Sequence, residues 1–177
     1  MSSNYRIREV AMEDAEAVLQ LQASVIAEEN YLITVKEEFE VTAEQQRQWI
    51  QKLLKSDRET LLVAEINHHL IGWAVLQVQH RKRLSHVGSV GMMIEKSYRN
   101  KGIGRKLLSE LLRWAEENPF IEKVTLGVFS TNINAISLYK KLGFKEEGRK
   151  IREIKLADGE YADDILMYKF VSDQPGT

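Results

Sequence analysis

Apolar and polar positions alternate along this chain with two periods, and the period decides which element each stretch predicts. Tyr5-Arg6-Ile7-Arg8-Glu9-Val10 alternates residue by residue, as a short strand does. From Met12 to about Glu29, Ala15, Val18, Leu19, Val25 and Ile26 gather on one side of a helix. Asn30-Tyr31-Leu32-Ile33-Thr34 then breaks the helical pattern with β-branched and aromatic residues. Thr42-Ala43-Glu44-Gln45 reads as a capping box, and Trp49, Ile50, Leu53 and Leu54 follow on one helical face. Thr60 to Ile66 is continuous enough for a buried strand, and Asn67-His68-His69 turns the chain into a partner strand, Leu70 to Val78.

The second half repeats these signals. Val87 to Ile94 predicts a strand, and Ile103, Leu107, Leu111 and Trp114/Ala115 recur at helical spacing until Asn118-Pro119 stops them. Val124 to Phe129 predicts another strand. Asn132 to Leu142 predicts a helix closed by Gly143 and Phe144. Two last strands meet across the turn pair Asp158-Gly159. The order β, α, α, β, β, β, α, β, α, β, β implies the α/β class, a mixed sheet with helices on both faces. Neither a repeat nor a linker interrupts it, so one domain is expected over 1–171, with 172–177 as a frayed tail.

Composition narrows the function. At 177 residues, 44% of them hydrophobic, the chain suits one domain with a proper core. Lys and Arg number 25 against 26 Asp and Glu, a balance that argues against a nucleic-acid surface. Arg81-Lys82-Arg83 reads as a solvated loop. Without cysteine there is no disulfide framework, thiol nucleophile or thiolate metal site, and the four histidines lack ligand-like spacing, so no metal is expected. Neither a signal core nor a run of membrane-spanning length is present, which points to a cytoplasmic protein with no membrane partner.

The chemistry concentrates where the strand ending at Ile94 runs into Tyr98-Arg99-Asn100-Lys101-Gly102-Ile103-Gly104-Arg105-Lys106. Glycines at the first turn of a helix let a ligand approach the backbone, and unpaired N–H groups at the positive end of the dipole favour an anion. Arg99, Lys101, Arg105 and Lys106 add mobile positive charge. Leu107 stands where a dinucleotide fingerprint needs its third glycine, and Gly-Lys-Ser/Thr of a P-loop is missing.

Arg99-Asn100-Lys101-Gly102-Ile103-Gly104 resembles the coenzyme A signature of the GNAT family of N-acetyltransferases, Gln/Arg-x-x-Gly-x-Gly/Ala after a strand. Asn132-Ile133-Asn134-Ala135-Ile136-Ser137-Leu138-Tyr139-Lys140-Lys141-Leu142-Gly143-Phe144 is similar to the family's second motif, Asn-x-x-Ala-x-x-x-Tyr-x-x-x-Gly-Phe. Taken singly, Asn132 also suits a helix cap and Tyr139 a core aromatic. The element order matches the family fold too, so the resemblance covers essentially the whole chain.

That resemblance implies a three-layer fold whose mostly antiparallel sheet splays between its fourth and fifth strands, with acetyl-CoA in the gap. The pantetheine amides would pair with the fourth strand around Met92, Met93 and Ile94. The pyrophosphate would sit on the amides of Arg99, Asn100, Lys101, Gly102, Ile103 and Gly104, beside Arg105. Asn132 would touch the pantetheine arm, and Tyr139 would act as general acid on the departing thiolate. For the general base, the ribosomal-protein alanine branch has a glutamate where this chain has His86, and the histone-type branch has one where it has Gly88. His86 is thus a candidate base, since histidine titrates in the useful range. Glu28 and Glu29 would border the acceptor side, either to attract a cationic amine or as a solvated helix end.

The activity implied is direct transfer of an acetyl group, in a ternary complex, to a small-molecule amine or a protein N-terminus. The segment 29–39 resembles the substrate lip of the phosphinothricin-type and ribosomal-type branches, and the acceptor stays open among them. Family members often pair through the C-terminal strands, an analogy for a homodimer. The alternative is a non-catalytic acyl-CoA-binding or partner-binding module on the same fold, which would leave Tyr139 without a task.

Overall fold

The structure, a computed structural model, describes residues 5–28 and 30–172. Its strands are β1 (Arg6–Glu9), β2 (Thr60–Ile66), β3 (His69–Val78), β4 (Val87–Ile94), β5 (Lys123–Phe129), β6 (Lys145–Lys155) and β7 (Tyr161–Phe170). The helices are α1 (Ala15–Ile26), α2 (Ala43–Leu54), α3 (Ile103–Glu117) and α4 (Ile133–Lys141). The strands form one sheet in the order β1-β2-β3-β4-β5-β7-β6. Every neighbouring pair is antiparallel except β4 and β5, joined in parallel through α3. The expected order and mixed sheet are therefore observed.

Strand alternation separates two cores. In β3, Trp73 and Val75 face one side with Leu61 and Val63 of β2, where Val18 and Leu21 of α1 and Ile50 and Leu53 of α2 cover them. Ala74 and Leu76 face the other side, covered by Ile103, Leu107 and Leu111 of α3. The second face continues through Val124, Leu126 and Val128 of β5 to Ala135 and Tyr139 of α4. On the reverse face of β5 and β7, Gly127 is exposed and Phe170 is 65% exposed.

Local chemistry sets the boundaries. Thr42 forms the capping box of α2, its Oγ1 accepting from Gln45 N at 3.2 Å while Gln45 Oε1 accepts from Thr42 N at 2.8 Å. Asn67 and His68, both at positive φ, make the β2–β3 turn, so His69 already belongs to β3. Arg81-Lys82-Arg83 is exposed around a short 3-10 turn.

One boundary differs from expectation. Residues 12–14 form a 3-10 turn, and α1 begins only at Ala15. The cause is Asp14. Its carboxylate accepts from Ala11 N at 2.7 Å and from Arg8 Nη1 and Nη2 at 2.6 and 2.9 Å, which holds the turn tight. Arg8 also bonds Glu65 Oε2 at 2.7 Å, tying the α1 entry to β2. These bonds from Arg8 hold both carboxyls below their ordinary range, Asp14 further helped by Ala11 N. A carboxyl lowered by folding stabilises above its unfolded value, and that share is lost as pH falls through the acidic range. Arg8→Ala should therefore lower stability by about 2 kcal/mol near neutrality. The deficit should narrow as both carboxyls protonate in acid, as denaturant melts at pH 7 and pH 3 would show.

Candidate active site

The β4–β5 ladder is short. Val87, Gly88 and Ser89 pair with Lys123, Val124 and Thr125, and there it ends. β4 continues alone on that edge to Ile94, while β5 bends away with β7 as its partner through Phe129. The wedge between them is a cavity of about 610 Å³. That volume lies within the range of small-molecule sites. Its walls are Val90 to Ile94 of β4, Gly127 and Val128 of β5, residues of α4, the glycine turn, and the chain that follows α1.

The glycine turn is built for an anion. Asn100 (φ 59°) and Gly102 (φ 81°) both adopt the left-handed conformation, which rolls the backbone into the first turn of α3. That turn carries no acidic residue, so its N–H groups and dipole act unopposed. A Cβ on Gly104 would lie 3.3 Å from Met92 Cε, so the bare glycine keeps this corner open. A polyphosphate fits here on donor chemistry.

The cations of this turn are not equivalent. Arg105 lines the cavity and makes no ion pair among the described residues. Lys106 pairs with Glu110 at 2.9 Å, and Lys101 lies 5.2 Å from the Tyr98 ring centroid, outside the lining. Ile103 is 1% exposed, a core residue of α3, so only its backbone faces the turn's ligand side. Arg99 lines the cavity with its guanidinium on Glu28, Nη1 and Nη2 donating to Oε2 and Oε1 at 2.6 and 2.7 Å.

On α4 the cap and packing roles hold together with cavity roles. Asn132 caps the helix, Oδ1 accepting from Ala135 N at 3.3 Å, which leaves its amide N–H₂ on the cavity side. Tyr139 lines the cavity and sets its ring edge against Phe144, centroids 5.9 Å apart. Burial pushes its hydroxyl up to about 12. At neutral pH that hydroxyl keeps its proton, as an acid must and a base must not.

His86 is not brought to this place. It ends the turn before β4, where its carbonyl accepts from Glu122 N at 2.9 Å and Lys123 N at 3.3 Å. That is the closed end of the β4–β5 pair, four residues before the lining begins at Val90, and so about 13 Å along the strand. Gly88 is buried in the ladder, where an added Cβ would lie 2.6 Å from Leu76 Cδ2. His86→Ala should therefore leave the pH–rate profile unaltered, measured as thiol release from pH 6 to 9. Glu28 does line the cavity; Glu29 lies outside the described residues, as do residues 173–177 of the expected tail.

The lining residues not singled out from sequence include Gly127, Asn134 and Leu138. Asn134 and Leu138 lie inside the second motif without being its fixed positions. Gly127 had a signal, a glycine inside a strand pattern. A Cβ there would meet Asp164 Oδ1 at 2.8 Å, so a close approach requires it.

A splayed sheet with a glycine turn on one strand's exit and a partly buried tyrosine across the gap is an arrangement suited to transfer from an acyl-CoA. The model of the acetyltransferase (GNAT) family matches residues 24–144. The chain belongs to that family, and it is an acyltransferase of the acetyl-CoA-dependent class. It is 30% identical to an L-amino acid N-acetyltransferase of Escherichia coli, AaaT, over 91% of this chain and 94% of the relative. An N-alpha-acetyltransferase of Sulfolobus acidocaldarius is 29% identical over 90% of this chain and 87% of its own length. Among solved structures, a GNAT acetyltransferase from Streptococcus pneumoniae superposes with a TM-score of 0.90 at 29% identity, covering 94% of this chain and 99% of that one.

Proposed function

We propose that the protein transfers the acetyl group of acetyl-CoA to an α-amine, that of an amino acid or a peptide N-terminus, by direct transfer in a ternary complex. The observation that carries the acceptor class is the absence of a free base in the cavity. Among the described residues no histidine or aspartate lines it, and its one carboxylate, Glu28, is paired with Arg99. The nearby Asp164 is paired as well, 3.6 Å from Lys150 Nζ. An acceptor must then shed its proton to water. The α-amine of a peptide N-terminus, with an ordinary pKa near 8, does so most readily at neutral pH, that of a free amino acid less so, and a lysine-like amine near 10.4 least. A polyamine would in addition find no free carboxylate for its second cation among the described lining residues. The names of the amino-acid and N-alpha relatives agree with this reading.

Each group in the cavity then has a task. The backbone of the turn from Asn100 to Gly104, with the Arg105 side chain, holds the pyrophosphate, and the open edge at Met92, Met93 and Ile94 pairs the pantetheine amides. The donor supplies an acetyl group already activated as a thioester. A backbone N–H on the β4 edge faces the carbonyl oxygen as it gains charge. The C–N bond forms as the C–S bond breaks, the nitrogen gives its second proton to water, and Tyr139 Oη gives its proton to the sulfur and takes one back from water. Asn132 orients the arm with its amide N–H₂.

Thiol release with short peptides, free amino acids and spermidine, compared at pH 7 and pH 9, tests the acceptor. The α-amines should be acetylated faster at pH 7, and spermidine should gain more on going to pH 9. Spermidine as the best substrate at pH 7 would overturn the assignment. A homodimer through the C-terminal strands belongs to the same reading, supported by the outer strand β6, where Ile151 is 66% exposed; sedimentation of the free protein tests it. So does a cytoplasmic location, in keeping with the donor. No helix among the described residues is long and apolar enough to cross a membrane.

A further inference from the structure

We propose that Arg99, at the head of the glycine turn, is a positioning residue that clamps the acceptor wall of the cavity and is not a phosphate ligand. The inference rests on the acetyltransferase reading above for what the two sides of the cavity hold. Its basis is how completely the guanidinium is engaged. Nη1 and Nη2 donate to the two oxygens of Glu28 at 2.6 and 2.7 Å, and Nε donates to the carbonyl of Ile94 at 2.9 Å. This fork-on-carboxylate geometry is the strongest that arginine makes.

The two anchors are far apart in sequence and central in space. Ile94 ends β4, the strand whose open edge faces the donor. Glu28 follows α1 and precedes Asn30, Tyr31 and Leu32, which line the same cavity and form the wall assigned to the acceptor. The pair spans 71 residues of chain and joins the segment after α1 to the end of β4 within the cavity lining. The Glu28 side chain is 15% exposed and that of Arg99 33% exposed. Turning Arg99 toward a phosphate would break both bonds and strand a carboxylate that is mostly withdrawn from water. Beyond the clamp, the segment buries little apolar surface, with Tyr31 48% and Ile33 76% exposed. Arg105, which lines the same cavity without an ion pair among the described residues, is the cation left for the anion. The two arginines thus divide the work: Arg105 serves the donor and Arg99 the acceptor wall.

The test compares Arg99→Gln, Glu28→Gln and the double variant. Acetyl-CoA affinity is read by calorimetry, acceptor KM and kcat by thiol release with an N-terminal peptide, and amide exchange over residues 30–39 by mass spectrometry. Each single variant should raise acceptor KM roughly ten- to a hundredfold while acetyl-CoA affinity moves less than about twofold, since misplacing a wall leaves the phosphate turn intact. The double variant should match the singles, because both remove one contact. Exchange over 30–39 should quicken in all three. A phosphate role would show instead as tenfold or weaker acetyl-CoA binding in Arg99→Gln only, with Glu28→Gln unchanged or tighter, and would overturn the clamp. Unchanged exchange in both singles would overturn it as well. Should no amine be turned over by the parent protein, the acetyltransferase reading fails, and the exchange measurement still decides the clamp.

Discussion

Replacing Tyr139 by phenylalanine should lower turnover by about 10²-fold, near 3 kcal/mol of barrier, and move the melting temperature little. The ring stays, and with it the edge contact to Phe144 and the packing against the second core. Only the hydroxyl goes, and with it, on the proposed mechanism, the proton for the departing sulfur. Because burial pushes that hydroxyl up to about 12, the parent enzyme should hold its acid protonated throughout the neutral and mildly alkaline range. Its rate should therefore rise from pH 7 to 9 as the acceptor loses its proton, with no fall from Tyr139. Thiol release at saturating donor and acceptor, beside a calorimetric melt, checks both halves. A tyrosine that only packs would give the opposite pattern, some stability lost and activity kept.

The second large effect belongs to Gly104→Val. Its Cβ would meet Met92 Cε and Sδ at 3.3 and 3.5 Å, a flexible thioether that can move aside. Valine is also a better helix former than glycine, so α3 keeps its fold. The added methyls nevertheless fill the corner between the β4 edge and the anion turn. Acetyl-CoA affinity should weaken by about 10²-fold, near 2.7 kcal/mol. The same change at Gly102 would be a poorer probe, since φ 81° strains any branched residue there and confounds binding with folding. Calorimetric titration with acetyl-CoA, with circular dichroism as the control for folding, decides it. An unaltered dissociation constant would move the anion site away from this turn.

The fold was legible because its signals are local. Val87–Ile94 and Thr60–Ile66 were read to the residue, since each apolar run is bounded by turn or polar residues on both sides. The α1 boundary was misplaced because Asp14 answers to Arg8 and, through it, to Glu65, a partner on a strand 51 positions further along. The site shows the same division. Met92, Gly104, Asn132 and Tyr139 come from contiguous motifs, and the fold brings them to one cavity. His86 was a candidate by counting back along the strand, and counting could not show where β4 parts from β5. The Arg99–Glu28 contact spans 71 residues and has no periodic signature, so only the folded chain shows it.

The early parting of β4 from β5 ties cohesion to occupancy. The two half-sheets, β1 to β4 and β5 to β7, share only the ladder that ends at Ser89 and Thr125, with α3 and α4 packed behind. A ligand that bonds to the β4 edge and touches β5 and α4 supplies rungs that the protein itself leaves out. Its binding energy is then also the energy that holds the halves together, about 2.7 kcal/mol at a hundredfold excess over the dissociation constant. The empty protein should accordingly be the looser body, free to open for a bulky donor, and the loaded one the stiffer template on which the second substrate is measured.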